Sequence, residues 1–124
     1  MGEGYLTWLK RAESALALGL VPKSDEIFYE DLCFQLQQAA EKAMKALLVY
    51  NDIEPPITHS FAVIIRELRK ALEVPESVER VIELEDYAVQ TRYPGDYTPV
   101  DETEYREASQ IAMLAMRWIR SEIE

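Results

Sequence analysis

The sequence predicts an all-α fold, an up-and-down four-helix bundle with one additional helix. Apolar residues recur at three- and four-residue steps along most of the chain, the pattern of a helix with one buried side. Only 4 glycines and 6 prolines interrupt 124 residues, so the regular elements are long. No segment alternates apolar and polar residues between hairpin turns, which argues against a sheet.

The first helix is marked by Tyr5, Trp8, Leu9, Ala12, Ala15 and Leu16 along one side, with Gly19 and Pro22 closing it. The second is expected to begin near Ser24 or Asp25, either of which is a good cap, and carries Phe28, Leu32, Leu36, Ala39, Ala43, Leu47 and Tyr50. At about 26 residues it would be close to 40 Å long. Pro55-Pro56 then breaks the chain, because proline lacks the amide donor and pushes the preceding residue out of the helical region.

Thr58 is the expected cap of a third helix bearing Phe61, Ile64, Ile65, Leu68 and Leu72. Pro75 suits the first turn of a fourth, with Val78, Val81, Leu84 and Ala88 facing the core, ending before Pro94 and Gly95. The last helix has two competing caps, Thr98 and Asp101, and continues nearly to the end of the chain on Tyr105, Ala108, Ala112, Ala115 and Ile119, widened by Ile111, Leu114 and Trp118. Short connections between the second, third and fourth helices favour antiparallel neighbours.

A chain of 124 residues suffices for one domain and is short for two. Its formal net charge of −10, from 23 acidic and 13 basic residues, opposes tight binding of bulk DNA. The single Cys33 has no internal partner for a disulfide and reads as a small buried hydrophobe. With one histidine and one cysteine there is no basis for a zinc site, and no cofactor is expected. No run approaches the length of a membrane span, the first residues lack a secretory pattern, and Leu6 stands where myristoylation wants Ser or Thr. A soluble cytoplasmic protein is expected.

Three blocks carry a resemblance. The run Gln38-Ala39-Ala40-Glu41-Lys42-Ala43-Met44-Lys45-Ala46 on the second helix is similar to the signature helix of HEPN domains. Pro56-Ile57-Thr58-His59-Ser60-Phe61 resembles the family's Pro-x-Thr-His-Asp-Leu helix start, and Thr91-Arg92-Tyr93-Pro94 its Thr-Arg-Tyr-Pro turn. The resemblance runs from Trp8 to Ile119. It implies the four- or five-helix bundle of minimal-nucleotidyltransferase-associated helical domains, like the substrate-binding subunits of nucleotidyltransferases, commonly as a homodimer. It also implies a nucleotidyltransferase partner in a two-component, toxin–antitoxin-like system, or activity as a metal-independent ribonuclease.

The ribonuclease branch uses an Arg followed four to six residues later by His. Here Arg92 is followed by Tyr93, Pro94, Gly95, Asp96, Tyr97 and Thr98, and no His comes after it. Metal-free RNA cleavage needs a base, an acid and a cation, and His is the side chain suited to proton exchange near neutrality. Arg92 can clamp a phosphate bidentately. Tyr97, five residues on, is a poor base at pH 7 but can hydrogen-bond a phosphate. Arg92 and Tyr97 are therefore the catalytic candidates of a degenerate site, and binding is favoured over cleavage.

For nucleotide or phosphate binding the candidates are Gln38, Lys42, Lys45, His59, Arg92 and Tyr93. Gln37, Gln38, Glu41, Lys42 and Lys45 lie off the main apolar stripe of the second helix, where a Glu41–Lys45 pair four residues apart would add a few tenths of a kcal/mol on a solvated face. His59 can instead serve the start of the third helix by bonding free backbone groups. Arg66, Arg69 and Lys70 form a small basic group that reads as a solvated helix face, and Trp8 and Trp118 read as core or dimer-interface anchors. A generic helical interaction domain without nucleotide chemistry is the third alternative.

Overall fold

A computed structural model of the chain describes residues 4–89 and 98–124. Its helices are α1 (Gly4–Gly19), α2 (Tyr29–Tyr50), α3 (Phe61–Leu68), α4 (Glu76–Glu79) and α5 (Glu102–Ile123), with a 3-10 helix over Arg80–Ala88 continuing α4. The expected all-α architecture is present, and no strand occurs among the described residues. None of the described helices is long and apolar enough to cross a membrane.

Helix α2 is the spine, packing against α1, α3, the 3-10 helix and α5. Being enclosed by so many neighbours, it buries residues around most of its circumference, among them Leu32, Cys33, Leu36, Ala40, Met44, Leu47 and Leu48. Phe61, Ile64 and Leu68 of α3, Val81 and Leu84 of the 3-10 helix, and Ala112, Ala115, Met116 and Ile119 of α5 complete the core.

The α1–α2 contact is close because the buried residues of α1 are Ala12, Ala15 and Gly19, all small. A Cβ on Gly19 would stand 2.7 Å from Leu36 Cδ2 and 3.2 Å from the Leu32 carbonyl oxygen. Glycine is required there by packing. The Gly19 carbonyl also accepts from Tyr105 Oη at 2.7 Å, which ties the end of α1 to α5.

Several boundaries differ from the sequence expectation for local reasons. Helix α2 starts at Tyr29 rather than near Ser24, because Ser24–Ile27 closes a turn of its own (Ile27 N to Ser24 O, 3.1 Å) and Phe28 is extended. Glu30 and Asp31 in its first turn complement the helix dipole without a side-chain cap. Ser60, not Thr58, caps α3 by accepting from the Val63 amide, while Thr58 Oγ1 accepts from the Ser60 amide at 3.0 Å.

The fourth helix is mostly 3-10 in form. Its buried residues Val78, Val81 and Leu84 fall every third position, which matches three residues per turn better than 3.6. It ends at Ala88. Of the two caps weighed for α5, Asp101 is used, its Oδ1 accepting from the Glu104 amide at 2.8 Å. Leu114, expected to widen the α5 stripe, is partly exposed at 37%.

At the far end of α2 the chain turns sharply. The Asn51 side chain donates to the Leu47 carbonyl at 2.8 Å, Asp52 takes φ 60, and the Ile53 amide returns to the Leu48 carbonyl at 2.9 Å. This left-handed residue closes the last carbonyls of the helix. The loop that follows brings Thr58 and His59 back against α2.

Candidate functional site

The interior of the α2 seam holds a polar cluster. Gln37, Glu41 and Lys45 sit one turn apart along α2 and are buried at 0%, 4% and 7% exposure. Glu41 accepts from Gln37 Nε2 at 2.9 Å through Oε1 and from Lys45 Nζ at 3.1 Å through Oε2. Its Oε1 also meets His59 Nδ1 at 2.9 Å. Lys45 Nζ donates further to the Thr58 carbonyl at 3.0 Å and lies 5.7 Å from the centre of the Trp8 ring. Gln38 Nε2 donates to Gln37 Oε1 at 2.7 Å. Among the described residues no buried side-chain nitrogen or oxygen is left without a partner.

Burial alone would push the Glu41 carboxyl up. The hydrogen bonds from His59, Gln37 and Lys45, with the charge of Lys45, outweigh it and hold the group below the usual glutamate value. Glu41 is therefore an ionised carboxylate in the interior, with three side chains directed at it.

The Glu41–Lys45 pair expected from the spacing is present, but it is buried, with side-chain exposures of 5% and 9%, and not on a solvated face. Lys45 faces inward with its ammonium engaged by Glu41, the Thr58 carbonyl and Trp8. It works as a bracket between α2 and the loop before α3. His59 lies at the opposite extreme, with 71% of its side chain exposed while its Nδ1 is held on the buried carboxylate. Lys42 is half-buried on α2 and forms no ion pair with another described residue.

Gln38, Lys45 and His59 thus converge on one network. Arg92, Tyr93 and Tyr97 lie outside the described residues. Glu41 and Gln37 are the members that the sequence reading left out of the site. The missed signal is the girth of α2: with Ala39, Ala40, Ala43 and Ala46 apolar as well as the main stripe, there is no room for a solvated face at 37, 41 and 45.

The start of α3 is already served by other groups. Ser60 caps it, and Glu85 Oε1 accepts from the Phe61 amide at 2.8 Å. His59 is therefore not needed for that purpose. Of the basic group on α3, Arg69 pairs with Glu79 and Lys70 with Glu67, while Arg66 projects into solvent near Glu67. Cys33 is fully buried, as expected. Burial, then the nearby Glu104 and Glu30 carboxylates, push its thiol up to about 12, well outside the range of a reactive thiolate. A groove of about 470 Å³ between α1 and α5 is lined by Leu16, Leu20, Met113, Met116, Arg117 and Arg120 and does not reach the cluster.

The HEPN domain model matches residues 5–122. The chain belongs to the HEPN domain family. Among solved structures, ST0689, an archaeal HEPN homologue, is 29% identical over 97% of this chain and 98% of its own, with a TM-score of 0.75. TT1696 from Thermus thermophilus is 27% identical over the same shares of the two chains, with a TM-score of 0.78. No curated protein matches the chain. Membership of the HEPN family accounts for the α2 signature, the Pro-Ile-Thr-His block and the five-helix architecture together.

Proposed function

We propose that this HEPN chain folds as a single domain over residues 1–124 and acts in the cytoplasm as the nucleotide- or RNA-associated partner of a minimal nucleotidyltransferase. It would do so as a homodimer in a two-component, toxin–antitoxin-like system. The observation that carries the reading is the anchoring of the exposed His59 ring on a buried, ionised glutamate. A side chain fixed by buried neighbours while its far edge meets solvent is pre-organised for a ligand, because little rotamer freedom is left to lose on binding. Gln38 and Lys42 stand on the α2 turn beside Glu41 and would contribute polar and cationic contacts. Arg92 and Tyr93 remain the proposed phosphate contacts from the Thr-Arg-Tyr-Pro turn.

Two measurements test the reading. Co-expression with the nucleotidyltransferase-like product of an adjacent reading frame should give one co-eluting complex, and separate elution would sink the partnership. ATP should raise the melting temperature of the purified chain, since a ligand at a hundredfold excess over its Kd stabilises the folded state by about 2.7 kcal/mol. No shift at millimolar ATP would remove the nucleotide.

The same observation also favours a second reading. The single histidine is held by a carboxylate in the manner of an oriented acid–base group, although it precedes Arg92 in the sequence. A ribonuclease assembled from His59, Arg92 and Tyr97 would cut RNA without metal. That reading ends if purified protein leaves RNA intact and the Arg92→Ala variant behaves identically.

A further inference from the structure

The hydrogen on the His59 ring can be placed by elimination. Its Nδ1 lies 2.9 Å from Glu41 Oε1. An ionised carboxylate only accepts hydrogen bonds, and Glu41 is held in that form by its buried donors. The hydrogen in this contact must therefore come from the ring, so Nδ1 carries it. A neutral imidazole has only one ring hydrogen, which leaves Nε2 as a bare acceptor on the solvent-facing edge. Glu41 cannot swing away to relax this choice. Its second oxygen is bonded to Lys45, and its first also receives Gln37.

We propose that His59 Nε2 is the hydroxyl-recognising atom of the site, accepting a hydrogen bond from a ribose hydroxyl of the ligand, with Glu41 as the positioning residue that fixes this tautomer. A bare acceptor repels the oxygens of an ionised phosphate and attracts an O–H donor. In its neutral form the ring is thus suited to the sugar of a ribonucleotide rather than its phosphate. Lys42, half-buried and without an ion pair to another described residue, is the cation on the neighbouring position of α2 for the phosphate. Ile57, two residues before His59 and fully exposed at 105%, offers an apolar surface at the same loop. This inference rests on the nucleotide reading above and assigns the part of the nucleotide that His59 reads.

The chain contains 1 histidine, so its imidazole nitrogen signals need no assignment by mutagenesis. Nitrogen NMR of the neutral ring should give the pattern of the Nδ1–H tautomer, and a predominant Nε2–H form overturns the proposal. Glu41→Gln should shift the ring away from Nδ1–H, because an amide can donate as well as accept; an unchanged tautomer removes Glu41 from the positioning role. In binding, ATP should exceed 2′,3′-dideoxy-ATP by about fivefold or more, the range of one net hydrogen bond. His59→Ala, at an exposed side chain, should keep the fold by circular dichroism and abolish that preference. Equal binding of the two nucleotides overturns this inference and leaves the nucleotide reading standing, whereas binding of neither overturns both.

Discussion

Removing the carboxylate at position 41 would leave the Lys45 ammonium in the interior with only the Thr58 carbonyl and the Trp8 ring, and the Gln37 amide without its acceptor. Breaking a buried ion pair from one side costs about 3–5 kcal/mol. Glu41→Ala should lower the free energy of unfolding by about that amount in urea titrations. Glu41→Gln, which keeps the shape, should cost less. The same group sets an acid limb. Its folded pKa lies below the ordinary value, so the unfolded chain binds the proton first, and the stability it contributes is complete above the ordinary glutamate pKa and is lost as pH falls through the folded one. Comparing wild type with Glu41→Gln isolates this group from the other carboxylates: the stability difference should shrink as pH drops below about 4.5. A constant difference down to the acid transition would contradict the ionised assignment. Cys33 behaves oppositely. With its thiol raised to about 12, the folded state holds the proton longer, so its contribution is intact below the ordinary thiol value and lost as pH rises towards 12. Alkylation of Cys33 near neutrality should proceed at the rate of opening, and fast labelling of native protein would refute its burial.

Helix pairs impose their own constraints. The α1–α2 contact is set by Gly19, where any Cβ meets Leu36 and the Leu32 carbonyl. The Leu36 side chain can turn aside but the carbonyl cannot, so Gly19→Ala should destabilise by about 1–3 kcal/mol, measured by thermal or urea unfolding. A neutral result would mean that the helices slide apart freely. At this scale the sequence was informative where periodicity acts alone and silent where local turns compete. Apolar spacing located all five helical stretches. It could not tell that Ser24–Ile27 would close a separate turn, it put the α3 cap on Thr58 where Ser60 two residues on is used, and it left Thr98 and Asp101 undecided, since each pair offers an equivalent oxygen within three residues. The three-residue spacing of Val78, Val81 and Leu84 was visible as a stripe, and its departure from 3.6 is the trace of the 3-10 winding.

For the whole molecule, the family block on α2 was readable because it is a contiguous word, whereas the polar network joins positions 37, 41 and 45 to 58 and 59 across a loop. No local window contains both halves. Gln38 and His59 were singled out as separate candidates, and only folding reveals that Glu41 lies between them. The overall charge of −10 is a property of the assembled surface and bears on ligand size. Duplex DNA should bind more weakly than about 10⁻⁴ M at physiological salt, and the salt dependence of any nucleotide affinity should be shallow, with a slope near that of about one neutralised phosphate. Fluorescence anisotropy at several salt concentrations checks both; tight duplex binding with a steep slope would contradict this expectation.

The bracket formed by Lys45 between Glu41 and the Thr58 carbonyl has a consequence for how the chain reaches its native state. A greasy, loosely collapsed intermediate would satisfy most of α2, whose apolar side chains accept many arrangements. It would strand a carboxylate and an ammonium in a dry interior until the 51–60 loop docks in register and supplies its carbonyl and imidazole. The cluster would therefore penalise near-native misassembly, acting as a proofreading step on the fold, and Glu41→Gln should then loosen the discrimination between native and misassembled states.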